Sequence, residues 1–263
     1  VPPRDPVSDR DAPRVVFVSA GPGAPDLITV RGARELALAD VVLYDALADP
    51  GFRELAPQAR WIDVGKRGYG RSTPQAVIHA RMIEHALAGR RVVRLKGGDA
   101  GVFGRLEEEL LALDAAGVAA EIVPGVTAAL AAAAHLQRPL TRRATGRSVT
   151  LSTAVTAEGE ILARPGGDRA AESEIFYMAG RRLATLARRL LAAGWPPDTP
   201  VSVVSRAGCP DALASDHPLR DLAAAAVLHG GRPSVVTVGC AAQPVIPVVQ
   251  RRCEDLATAQ AAS

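Results

Sequence analysis

The sequence predicts an α/β protein of two domains, each a sheet covered by helices. Three observations carry this expectation. Short β-branched runs alternate with stretches whose apolar residues recur at helical spacing. The runs of the first half lead into glycine-bearing loops at Gly21, Gly65, Gly97 and Gly125. The alternation is interrupted once, by the polar, proline-containing segment Gln137 to Arg147, which suits a linker. Open parallel sheets bind ligands at the carboxyl ends of their strands, so the glycine loops are where a site is expected.

Residues 1–13 are rich in proline and alternating charge and read as a tail. The run Val15-Val16-Phe17-Val18 is a strand ending in Ser19-Ala20-Gly21-Pro22-Gly23, and Leu27 to Ala39 has helical spacing. Asp40 to Tyr44 reads as a strand followed by a helical stretch, and Trp61 to Val64 as a strand leading into Gly65-Lys66-Arg67. Helix Pro74 to Leu87, strand Arg91 to Leu95, helix Glu107 to Ala116, strand Ala120 to Val123 and helix Thr127 to His135 complete a first domain over residues 14–140. The second, residues 146–263, has strands at Ser148 to Ser152, Glu174 to Met178, Pro200 to Val204 and Ser234 to Gly239. It also carries a helix over Arg182 to Ala193 and an alanine-rich end that reads as frayed.

With 48% hydrophobic and 22% charged residues, the 263-residue chain can bury a sizeable core. No run approaches the roughly 18 to 20 apolar residues that span a bilayer, and residues 1–14 are too polar for a secretory signal. A soluble cytoplasmic protein is expected. Cys209, Cys240 and Cys253 form no Cys-x-x-Cys pair, which argues against a disulfide framework and a metal site. The net charge is +3, Lys66 and Lys96 are the only lysines, and aromatics are 3% of the chain, so nothing points to a nucleic-acid partner.

Gly21-Pro22-Gly23-Ala24-Pro25-Asp26 is not a dinucleotide fingerprint. Asp26 stands where a third glycine would be, and the two prolines lack amide donors. A nicotinamide oxidoreductase is disfavoured on that ground, although Asp45 could serve as its ribose acid. Arg94-Leu95-Lys96-Gly97-Gly98-Asp99, Val102-Phe103-Gly104-Arg105 and Glu107-Glu108-Glu109 are more informative. Paired glycines let backbone approach a flat ligand, and an aspartate at the strand end accepts from hydroxyls or an amine. The three glutamates also suit a helix start, where the dipole favours carboxylates.

Taken in order, Ala20 to Gly23 with Pro25-Asp26-Leu27 and Thr29, Tyr44-Asp45, Val64 to Arg67, Arg94 to Arg105, Val123 to Ala128, Pro139-Leu140-Thr141 and Phe176-Tyr177-Met178 resemble the uroporphyrinogen-III C-methyltransferases of the tetrapyrrole methylase family. The resemblance runs from about Val15 to about Gly239. It implies two α/β domains holding S-adenosylmethionine in the cleft between them, and a homodimer. The implied reaction is methylation of uroporphyrinogen III at C2 and C7, giving precorrin-2 for sirohaem, cobalamin or haem d1 formation. The alternatives are a methylase of another tetrapyrrole, such as a precorrin, and a non-catalytic binding relative.

By the same resemblance, Pro22, Gly98, Asp99, Val102, Thr127, Ala128, Tyr177 and Met178 would line the cofactor pocket. Arg105, Glu108 and Arg143 would form the catalytic set facing the tetrapyrrole, with Asp45, Lys66, Arg67 and Arg142 binding it. The sequence departs from the family pattern at Ala24, at Ala100-Gly101 in place of Pro-Phe, at Leu106-Glu107 in place of two glycines, and at Arg142 in place of histidine. Methyl transfer needs alignment, exclusion of water and loss of a proton, but no covalent nucleophile. Arg105 stays protonated and is read as orienting, with Glu108 fixing it, which leaves the proton acceptor open.

Overall fold

A computed structural model describes residues 13–45, 49–65, 73–154 and 171–245. The first sheet contains β1 (Arg14–Ser19), β2 (Val41–Tyr44), β3 (Arg60–Asp63), β4 (Val92–Lys96) and β5 (Ala119–Val123), in the order β3-β2-β4-β1-β5. Every pairing in it is parallel. Alternate residues of β1 serve opposite faces, as the period of a strand requires. Val15 and Phe17 pack with Met82 of helix α2 (Gln75–Leu87) and Leu113 of helix α3 (Leu106–Ala115). Val16 and Val18 pack with Leu36 of helix α1 (Val30–Ala37) and with Phe52 of the 3-10 turn Pro50–Leu55.

The expected helix over Leu27 to Ala39 is divided into a 3-10 turn, Pro25–Leu27, and α1. Thr29 makes the division, being extended and accepting from the Gly32 amide at 3.1 Å as an N-cap. Helix α3 begins at Leu106, so the Leu106-Glu107 departure places helix formers where glycines would delay the helix. The reading of residues 1–12 as a tail and of the last residues as frayed falls outside the described residues.

The second sheet contains β6 (Val149–Thr153), β7 (Ser173–Tyr177), β8 (Pro200–Ser205), β9 (Leu213–Pro218) and β10 (Ser234–Gly239), in the order β6-β7-β10-β8-β9. Only β6 and β7 run parallel; β10 pairs antiparallel with β7 and β8, and β8 with β9. Helix α5 (Leu183–Ala192) and the 3-10 turn Leu219–Ala225 cover one face through Leu183, Leu186, Leu219, Leu222 and Trp195. Helix α4 (Ala128–His135) covers the other, packing Ala129 and Ala132 against Ile175, Val204 and Val235. Small side chains on α4 allow this close approach, so the last helix of the first half seals the second sheet.

Arg138 in the linker ties the halves together, donating to both oxygens of Asp216 at 2.5 and 2.7 Å and to the carbonyl of Ala242. No helix among the described residues is long and apolar enough to cross a membrane. Cys209 and Cys240 are free thiols.

Candidate active site

The carboxyl ends of β1 and β4 open into a cleft of about 420 Å³ whose far wall is the second sheet. Its floor is backbone. Gly21 and Gly98 exchange hydrogen bonds at 3.1 and 2.7 Å, and both have positive φ, which costs glycine little. A Cβ on Gly98 would meet nothing within 4 Å, so the absent side chain is what leaves the floor open. Asp99 orders the loops around it, one carboxylate oxygen accepting from the Gly101 amide at 2.9 Å and the other from the Gly125 amide at 2.8 Å. The Ala100 amide donates to the buried Ser19 hydroxyl at 2.9 Å, a bond that the Pro of the family pattern could not make.

The far wall reaches over through Tyr177, whose hydroxyl shares a 2.8 Å hydrogen bond with Thr127 and whose ring packs on Phe103 at 5.1 Å. Burial pushes the Tyr177 hydroxyl up from its ordinary value, against the opposing pull of the Thr127 bond, so it stays protonated. Behind it the Gly208 carbonyl accepts from the Ala24 amide at 2.8 Å. A Cβ on Gly23 would lie 2.5 Å from the Gly208 backbone, so glycine at 23 is what lets the two loops touch.

All eight residues expected around the cofactor, Pro22, Gly98, Asp99, Val102, Thr127, Ala128, Tyr177 and Met178, line this one cleft. Arg105 and Glu108 stand just beyond it at the start of α3, joined by two hydrogen bonds of 2.8 and 2.7 Å. Each holds the other ionised: the hydrogen bond to Glu108 raises Arg105, and that same bond lowers Glu108. Arg143 is exposed on the linker, and Arg142 donates to the Gln243 carbonyl. Neither of these two arginines lines the cleft. Lys66 and Arg67 lie outside the described residues.

Beneath the strand ends lies a buried ionic group. Glu109, fully buried, accepts from Arg94 Nε at 2.9 Å and from Lys96 Nζ at 2.5 Å, and Arg94 Nη2 reaches Asp45 at 2.7 Å. Desolvation lowers Lys96, with Arg94 adding to the effect and Glu109 opposing it. For Arg94 desolvation is outweighed by Asp45 and Glu109 together, and the guanidinium is raised. Sequence reasoning singled out the segments that hold Arg94, Lys96 and Glu109 but assigned these three residues no role of their own. The signal was present: Leu106, Glu109, Leu110 and Leu113 share the inward helical spacing that separates Glu109 from its acidic neighbours. Cys209 and Arg206 also line the cleft, and sequence reasoning assigned neither to it.

Two α/β sheets facing each other across a glycine-floored cleft, with an arginine and a carboxylate at its mouth, define a two-domain enzyme of the α/β class. The family described as Tetrapyrrole (Corrin/Porphyrin) Methylases matches residues 14–223, and the chain belongs to it. It is 46% identical over 194 residues to the uroporphyrinogen-III C-methyltransferase of Pseudomonas aeruginosa, covering 74% of this chain and 79% of that one. Siroheme synthase 2 of Halorhodospira halophila is 41% identical over 230 residues, which are 86% of this chain and 46% of that protein. The chain thus spans about half the length of the siroheme synthase. The crystal structure of the uroporphyrin-III C-methyl transferase from Thermus thermophilus complexed with S-adenyl homocysteine superposes with a TM-score of 0.75 at 36% identity, covering 86% of this chain and 97% of that one. A cobalt precorrin-4 methyltransferase gives 0.78 at 29% identity, covering 91% of this chain and all of the other.

Proposed function

We propose that the protein is an S-adenosylmethionine-dependent C-methyltransferase that methylates uroporphyrinogen III at C2 and C7 to precorrin-2, working in the cytoplasm as a homodimer. The observation that carries the reading is the convergence of the eight expected cofactor residues on one cleft between the two sheets. Its volume is in the range that small-molecule sites occupy. When bound, S-adenosylmethionine supplies an electrophilic methyl group on its sulfonium. The open floor at Gly98 gives it backbone contact, and the walls from Val102, Phe103, Tyr177 and Met178 keep water away.

A macrocycle carrying eight carboxylates calls for guanidinium forks, and Arg105 offers one, kept charged and aimed by Glu108. Arg142, Arg143, Lys66 and Arg67 are proposed, on the family resemblance alone, to pair with the remaining carboxylates. After methyl transfer a proton must leave. Asp99 is engaged by two amides, Glu108 by Arg105 and Glu109 by two cations. Asp45 is a third exposed at the carboxyl end of β2, and Arg94 engages only one of its oxygens.

The test is anaerobic incubation with uroporphyrinogen III and S-adenosylmethionine carrying a labelled methyl group. Label in the tetrapyrrole, two groups per macrocycle, is expected. No label, with transfer to a precorrin instead, would move the protein to another branch of the family. No transfer to any tetrapyrrole, with S-adenosylhomocysteine still bound, would make it a binding relative.

A further inference from the structure

Two residues that are not glycine, Phe103 and Arg105, adopt left-handed conformations two positions apart, with φ of 53° and 55°. Bulky side chains avoid this region, so the surrounding structure must hold them there. Gly104 between them is clamped: a Cβ on it would lie 2.4 Å from the Ala100 carbonyl and 3.1 Å from the Lys96 side chain. Lys96 is itself fixed by its 2.5 Å contact with Glu109. On the other side the Asp99 carbonyl accepts from Val102 at 3.1 Å. The turn therefore has little freedom to absorb a displacement at either end.

Its ends serve two different sites. Phe103, 42% exposed as a residue, lines the cleft and rests on Tyr177 from the opposite sheet. Arg105 opens α3 and is closed on Glu108, exposed at the mouth. In this arrangement the guanidinium that an acidic ligand needs is engaged by an internal carboxylate.

We propose that Phe103 is a positioning residue coupling the two sites: a ligand filling the cleft fixes its ring against Tyr177, and the clamped turn carries that constraint to Arg105. With Nε and Nη2 held by Glu108, the remaining guanidinium donors are then presented to a carboxylate of the macrocycle. Cofactor and tetrapyrrole bind cooperatively as a result, each strengthening the other by the same factor. The inference rests on the tetrapyrrole reading given above.

The experiment measures binding of uroporphyrin III, the oxidised macrocycle with the same eight carboxylates, with and without saturating S-adenosylhomocysteine. The unmodified protein is expected to bind the porphyrin about 10-fold more tightly when S-adenosylhomocysteine is present. In Phe103→Ala the porphyrin affinity without S-adenosylhomocysteine should be retained while the enhancement falls to within about 2-fold. Phe103→Tyr, which keeps the ring, should keep the enhancement, and Phe103→Leu, which removes the ring with less change in bulk, should lose most of it. Because Phe103 lines the cleft, each variant is titrated to its own saturating S-adenosylhomocysteine concentration, and an unchanged urea-unfolding midpoint reports that it is folded. Enhancement undiminished in both Phe103→Ala and Phe103→Leu overturns the proposal, as does equal porphyrin affinity in the unmodified protein with and without S-adenosylhomocysteine. Failure of the porphyrin to bind under either condition overturns the tetrapyrrole reading and the coupling with it.

Discussion

The amino-terminal sheet is wholly parallel and keeps a charged group beneath its strand ends, whereas the carboxyl-terminal sheet is mixed and keeps a neutral one. In the first, Arg94, Lys96 and Glu109 are buried together and reach Asp45 at the mouth. In the second, the fully buried His229 lies between hydroxyls, Nδ1 at 2.8 Å from Ser205 and Nε2 at 2.9 Å from Ser215, which continues at 2.7 Å to His217. The charged group holds the Asp45 carboxylate and the Arg94 guanidinium in place at the strand ends. The neutral half backs the cleft wall formed by Val204 to Cys209 and by Pro233 to Val235. One half is therefore sensitive to losing a partner and the other to gaining a proton.

The largest expected effect comes from Glu109→Leu, which leaves two buried cations without their shared carboxylate. Removing one member of a buried ionic group costs about 3 to 5 kcal/mol, and urea unfolding should show a loss of that size. Ser205→Ala in the other half removes one neutral bond and should cost about 1 kcal/mol. Equal losses would dissolve the contrast between the halves.

Next in size, Arg105→Ala should lower kcat/KM by about 100-fold, the order set by losing a charged contact to a carboxylate. S-adenosylhomocysteine affinity, measured by calorimetry, should change little, because Arg105 lies outside the cleft lining. Full activity would remove Arg105 from the substrate face. Smaller again, Tyr177→Phe keeps the ring on Phe103 but loses the Thr127 bond, and urea unfolding should show a loss of about 1 kcal/mol.

The smallest effect is with pH. Desolvation, then His217 and Arg232, lower the His229 imidazole below its ordinary 6.5. The folded protein then binds fewer protons than the unfolded chain, so stability falls as pH drops below about 6.5. The loss is complete once the pH passes below the lowered value. His229→Gln should flatten that part of the stability profile, and an unchanged slope would assign it to other groups.

The sequence was most legible where chemistry constrains the backbone. The glycine loops at 21, 97–98 and 125 marked the strand ends, and every strand expected in the first half is present within a residue or so. The second half was harder to read. Strand β9, Leu-Ala-Ser-Asp-His-Pro, shows no apolar alternation because it is a half-exposed edge strand ordered by its pairing with β8. The adjoining 3-10 turn, Leu219–Ala225, is similarly fixed by packing of Leu219 and Leu222 rather than by local propensity. Within the site, the cleft residues were legible from motifs in separate segments, whereas the left-handed turn at Phe103 and Arg105 is imposed by Ala100 and Lys96 and leaves no mark in the local pattern.

The most direct test of the central claim, that the cleft between the sheets is the cofactor site, is a calorimetric titration of S-adenosylhomocysteine into the unmodified protein and Gly98→Ala. Gly98 has φ +69° and faces open space, so a methyl group there strains the backbone and intrudes on the ligand without disturbing the protein's packing. The account predicts one site per chain in the unmodified protein and roughly 10-fold weaker binding in the variant, because the added methyl group occupies the open floor on which the ligand lies. Undiminished binding in Gly98→Ala, or no binding in the unmodified protein, would contradict it.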